Sequence, residues 1–166
     1  MSHQRKSMSD VKLLNEKIKG IRFAMLTTVE PDGALHSRPM ATQDTAFDGD
    51  LWFFTQVSAP KVEEVQQNQQ VNISYIKPSE DLFVSVSGTA QLVHDRKEIK
   101  KHWKPYYQSW FPNGEDDPDL ALLKVTVTRA EYWNMPSKGM LSSLFKGHAA
   151  SSQEAPEVDV KLNIRR

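Results

Sequence analysis

From Phe53 to Lys61 the chain reads Phe-Phe-Thr-Gln-Val-Ser-Ala-Pro-Lys, which places a strand end, two hydroxyls, a helix start and a lysine within nine residues. Free N–H groups at a helix N-terminus carry the positive end of the peptide dipoles, and Thr55, Ser58 and Lys61 add donors and charge, so this junction can hold a phosphate. The same residues also suit an ordinary helix start, with Ser58 as N-cap and Lys61 on a solvated first turn. Upstream, His36-Ser37-Arg38-Pro39-Met40 supplies a guanidinium whose planar fork matches phosphate, next to a proline that cannot donate to a strand ladder. For Arg38 the alternative is a surface ion pair. His36 is the one nearby group that could move a proton.

Trp103, Tyr106, Tyr107, Trp110 and Phe111 form an aromatic cluster, and Trp133 closes the last strand. Such rings serve core or interface packing, or a stacking platform for a planar ligand. Other chemistries are poorly served. There is no cysteine, which removes disulfides, thiolate catalysis and Cys-ligated metals. The five histidines show no metal-ligand spacing, so no metal site is expected. Nucleophile elbow, P-loop and G-x-G-x-x-G patterns are absent as well.

The elements that must hold these residues follow from periodicity. Val11, Leu14 and Ile18 recur at helical spacing over Ser9 to Lys19, with Ser9 as N-cap and Gly20 as stop. Phe23 to Val29, Ala34 to Thr42 and Leu51 to Thr55 read as strands joined by the turn residues Glu30-Pro31-Asp32-Gly33 and Phe47-Asp48-Gly49-Asp50. After a helix opening at Pro60 come Val71 to Ile76 and one long strand, Leu82 to Val93, with Gly88 as a bulge. Asp95 caps a helix expected to run through Ile99, Trp103 and Tyr106 or Tyr107 and to end at Phe111-Pro112-Asn113-Gly114. The last strand spans Ala121 to Trp133. Beyond Pro136, a short helix over Met140 to Phe145 and a flexible connector from Gly147 to Pro156 are expected.

Six strands with tight turns and inserted helices argue for a mainly β, antiparallel barrel with peripheral helices rather than a parallel sheet. The 166 residues fit one domain, with a core over 9–135 and a tail over 136–166. Lys plus Arg (21) balances Asp plus Glu (21), so no nucleic-acid or anionic-membrane partner is implied. With no apolar run near the ~18 residues of a membrane span, a cytoplasmic protein is expected.

Taken together, His36 to Met40, Trp52-Phe53-Phe54-Thr55 with Lys61, Trp110 to Asp119 and Ala130-Glu131-Tyr132-Trp133 resemble the pyridoxamine 5'-phosphate oxidase-like split-barrel superfamily, in its general stress protein branch. The resemblance implies a Greek-key split β-barrel that forms a homodimer with FMN at the subunit interface. It implies that Arg38 and Lys61 bind the phosphate, that Thr55 and Ser58 lie by the phosphate or ribityl chain, and that the ring follows Arg38, Pro39 and Met40. Phe53, Phe54, Trp110 and Trp133 complete the implied cofactor shell. Pro60 stands where the vitamin B6 oxidases carry a second basic residue, and their closing substrate pattern is missing. The resemblance therefore points to a flavin-dependent oxidoreductase of unknown substrate, or to a flavin-binding stress, sensor or carrier protein without efficient turnover. A haem or deazaflavin binder is a third reading, with His94 or His102 as an axial ligand.

Overall fold

The computed structural model describes residues 2–134 and 160–164, with side chains from position 10 onward and, in the C-terminal strand, from 161. The first helix, α1, spans Ser2–Ile18, starting earlier than expected, so Ser9 lies inside it rather than capping it. Its leading residues contain no glycine or proline to stop it. Gly20 does end it, with a φ of 79°. Leu14 and Ile18 face the core and Val11 packs against it, the stripe that the spacing implied.

The strands are β1 (Phe23–Val29), β2 (Leu35–Ala41), β3 (Asp50–Gln56), β4 (Gln70–Lys77), β5 (Leu82–Val93), β6 (Leu120–Asn134) and β7 (Val160–Asn163). Helix α2 covers Pro60–Gln67 and α3 Arg96–His102. All pairings are antiparallel, in the order β2-β1-β4-β5-β6-β3, with β7 added to β6. β7 is a strand beyond the six expected, and it completes the sheet from the tail. Its Leu162, with Ile164 just beyond, is buried in the main core. β6 is long enough to pair with β3 over Leu120 to Thr126 and with β7 over Arg129 to Tyr132. The expected helix over Met140 to Phe145 and the connector to Pro156 lie outside the described residues.

Gly88 marks the bulge in β5, where the register with β6 shifts. A Cβ at this position would lie 2.3 Å from the Thr126 carbonyl oxygen, so glycine is needed for the strands to close up. The aromatic helix expected from Asp95 to Phe111 is instead two pieces. Asp95 does cap α3, its side chain accepting from Lys97 N at 2.8 Å. Pro105 then forces Lys104 into an extended conformation (φ −136°, ψ 146°), and the chain resumes as a 3₁₀ turn over Pro105–Ser109.

Two cores result from strand alternation. Phe53 and Leu123 point into the barrel interior, whereas Phe54 and Leu122 point the other way, under Ile99 and Tyr107. The covering segment buries the outer face of β3, and the sheet stays open between β2 and β3, which share no ladder. No helix among the described residues is long and apolar enough to cross a membrane.

Candidate functional site

A cleft of about 260 Å³ opens at the seam between β2 and β3. One side is Pro39, Met40 and Ala41 on β2, and another is Phe54, Thr55 and Gln56 on β3. Pro39 is tolerated because β2 pairs only with β1 and is an edge strand. Phe23, Tyr107, Trp110 and Phe111 supply aromatic surface, with Trp110 edge-on to Phe23 at 5.9 Å and to Tyr106 at 5.1 Å between ring centroids. Burial, reinforced by Tyr106 and Asp44, holds the Tyr107 phenol well above its usual range, so it stays neutral and donates to the Thr42 carbonyl at 3.2 Å.

Lys61, in the first turn of α2, lines this cleft together with Ala59. It makes no hydrogen bond or ion pair among the described residues, although it feels the charges of Arg38 and Glu64. Burial and the neighbouring Arg38 push its ammonium below the usual lysine value, against a smaller upward pull from Glu64. A half-buried cation beside a second cation is an electrostatic debt that an anion would settle.

Arg38 itself is mostly committed within the protein. Its Nη1 donates to Thr28 Oγ1 (2.6 Å) and Nη2 to Glu64 Oε2 (2.8 Å), with His36 Nδ1 3.1 Å from Nη2. Thr28 Oγ1 in turn donates to Glu64 at 2.5 Å. Burial raises the Glu64 carboxyl, but the hydrogen bonds from Thr28 and Arg38 and the charges of Arg38 and His36 outweigh it and hold it below the usual range. Sequence reading missed Thr28 and Glu64. The available signal was position: Glu64 sits three residues after Lys61 on one short helix, and Thr28 lies two strand positions from Leu26, the Cα partner of Arg38. Glu30, His36 and Glu64 also bring potential metal-ligating atoms within 4.8 Å of one another. Glu64 Oε2 is already taken by Arg38 and Thr28.

Of the expected cofactor residues, the cleft brings together Pro39, Met40, Phe54, Thr55, Lys61 and Trp110. Phe53 is not among the lining residues and is 1% exposed, because strand alternation turns it into the barrel interior. Ser58 does not cap α2: Ala59 holds that position, and Ser58 Oγ donates instead to Asp119 Oδ2 (2.6 Å) while its N–H reaches Oδ1 (3.1 Å). Asp119 thereby pins the β3–α2 junction, and Asp119→Ala is expected to lower the unfolding free energy by about 1 kcal/mol in urea titrations. Trp133 is opposite Phe83 at the far end of β6, about 35 Å along the strand from the residues that pair with Phe54 and Thr55. His94 is exposed and bonded to the Pro118 carbonyl, and His102 stacks on Trp52 at 4.6 Å; neither lines the cleft.

The comparisons agree with this architecture. A family model described as "Pyridoxamine 5'-phosphate oxidase like" matches residues 9–157. Protein bli-3 of Neurospora crassa is 33% identical over 121 residues, 67% of this chain; the match covers 58% of that protein, so the chain spans little more than half of its length. The crystal structure of the general stress FMN/FAD binding protein of Xanthomonas citri is 28% identical, covers 81% of this chain and 92% of its own, and superposes with a TM-score of 0.64. A protein of Clostridium acetobutylicum related to general stress protein 26 shares the fold at a TM-score of 0.67 and 21% identity, over 76% of this chain and 89% of its own.

Proposed function

We propose, from the premise that this chain belongs to the pyridoxamine 5'-phosphate oxidase like family, that it is a cytoplasmic flavoprotein holding FMN in the β2–β3 cleft for oxidation or reduction. The observation that carries this reading is Lys61, a half-buried ammonium without hydrogen bond or ion pair among the described residues, lining an aromatic cleft beside Arg38. A ligand that joins a phosphate to a planar ring matches both features. The flavin, when bound, supplies the two-electron chemistry.

The chain's own residues have separate tasks. Lys61 would neutralise phosphate charge, with Thr55 beside it as a neutral donor. Arg38, clamped by Glu64 and Thr28, adds positive potential next to the phosphate and keeps β2 in place. Pro39 and Met40 present strand surface without a competing N–H at Pro39, and Trp110 and Phe111 shield the ring from water.

A second copy completes the proposal. Phe23, Met25, Ile76 and Phe83 are 40–53% exposed, and alternation and register put them with Trp133 on the outer face of one sheet. Phe23 belongs to this face and to the cleft wall, so a homodimer formed across the face would bring the flavin site to the interface. Phe83→Glu is expected to raise the dimer dissociation constant at least about tenfold, about 1.4 kcal/mol, measured by sedimentation. A stable monomer of the parent protein that retains FMN would sink the interface assignment.

A flavin carrier or sensor without turnover is the second reading. It is favoured by the cleft lining, where the titratable side chains among the described residues are Lys61, placed to meet a phosphate, and Tyr107, held neutral with its hydroxyl donated to the Thr42 carbonyl. Addition of equimolar FMN followed by gel filtration tests the common ground: flavin absorption should co-elute with a dimer-sized peak. Reduction of the bound flavin by NADH or NADPH and reoxidation by an added acceptor would select the enzyme. Bound flavin that resists both donors would select the carrier.

A further inference from the structure

We propose that the groove bordered by Arg22, Gln43, Lys104 and Tyr106 is a second ligand site that takes an anionic aromatic molecule of mononucleotide size. The groove measures about 680 Å³, within the ~300–1,000 Å³ usual for small-molecule sites. It continues the flavin cleft along the same elements. Thr42 to Asp44 follow directly on the Pro39–Ala41 stretch, Arg22 precedes Phe23, and Tyr106 precedes Tyr107. The inference deepens the flavin reading by assigning a chemical class to a neighbour of the flavin, yet the groove's own residues carry it.

Three features define that class. First, the positive charge is incompletely compensated. Arg22 and Lys104 stand against a single acid, Asp44, among the lining residues. Arg22 makes no ion pair among the described residues, its guanidinium carbon lying 5.9 Å from the Tyr106 ring centroid, and the Lys104 ammonium reaches only the Asp44 backbone carbonyl at 3.4 Å. Second, Tyr106 offers a ring in tilted contact with Tyr107 (4.5 Å) and edge-on contact with Trp110 (5.1 Å), which extends the aromatic surface of the cleft into the groove. Third, the Gln43 carboxamide, between this groove and a cavity of about 40 Å³, has both polar atoms buried with no partner among the described residues. A buried donor and acceptor left unpaired are costly, and a turn of the carboxamide into the groove would pair both with the polar edge of a heteroaromatic ring.

Charge selects a phosphate or carboxylate, the ring selects an aromatic, and the carboxamide selects one bearing hydrogen-bonding edges. AMP combines all three and serves as the probe. Calorimetric titration of the full chain, with and without saturating FMN, should show AMP binding in both cases, with adenosine and inorganic phosphate each at least tenfold weaker. Arg22→Ala/Lys104→Ala should weaken AMP at least tenfold while leaving FMN affinity and the thermal midpoint in place. The proposal is overturned if the double variant binds AMP as the parent does, if FMN displaces AMP competitively, or if no AMP binds at millimolar concentration. Failure of the parent to bind FMN would overturn the flavin reading instead, and the AMP isotherm would still report on the groove.

Discussion

Arg38→Ala should lower the unfolding free energy by about 3–5 kcal/mol, because it strands Glu64 as a buried carboxylate whose charged partner is gone. The pair is well withdrawn from solvent, with side chains 15% and 9% exposed and a 2.8 Å contact. An exposed pair would be worth no more than about 1 kcal/mol. The loss should depend on pH in a definite sense. The Glu64 carboxyl is held below its ordinary value of 4.5 in the folded protein, so its stabilising contribution is complete above 4.5 and disappears as pH falls through the lower folded-state value. Without Arg38 the carboxyl moves up, and the difference between parent and variant should shrink in acid. Urea unfolding near neutrality and again in acid reads both effects. Arg38→Met/Glu64→Leu, which removes both charges, should recover much of the loss. A single-variant loss near 1 kcal/mol, unchanged by acid, would show that the pair is solvated.

Lys61→Ala should weaken FMN binding about 10- to 150-fold, corresponding to ~1.5–3 kcal/mol for one charge-assisted phosphate contact. Riboflavin, which lacks the phosphate, should bind parent and variant alike, and this comparison separates loss of a phosphate ligand from damage to the cleft. Proton linkage gives a second readout. In the free protein, burial and Arg38 keep the Lys61 ammonium below the ordinary value of 10.5, whereas a bound phosphate dianion favours the charged form. Between the free and bound titrations of Lys61 binding takes up a proton, and FMN affinity should fall as pH rises through the Lys61 titration, with no such fall in Lys61→Ala. Equal penalties for FMN and riboflavin would remove Lys61 from the phosphate site. Arg38→Ala is a poor substitute in this test, since its effect on folding masks any effect on binding.

Much of the molecule was legible from short-range pattern. The turn at Glu30 to Gly33, the bulge at Gly88, the cap at Asp95 and the stripe Val11, Leu14 and Ile18 all stand where local rules put them. Pro105 was equally local, and it broke a helix that the aromatic spacing alone would have continued. The strand bearing Phe53 and Phe54 was evident, but which ring would meet the cleft region depended on what covers β3, and that is Ile99 and Tyr107 from a later segment.

The amino-acid sequence by itself determined the strand order along the chain, the missing ladder donor at Pro39 and the meeting of Thr55 and Lys61 at one strand–helix junction. Each depends on φ/ψ preferences, turn chemistry or side-chain period acting across a few residues. Tertiary structure alone decided the partners. Ser58 turned to Asp119, 61 residues on. Arg38 became the clamp of Glu64 and Thr28, leaving Lys61 at the cleft without an ion pair among the described residues. Trp133 went to the far end of β6, and the tail returned as β7. A polar side chain satisfies its hydrogen-bonding and charge requirements with whatever group the register brings within about 3 Å, and that register is set by the whole sheet rather than by the side chain's neighbours in sequence.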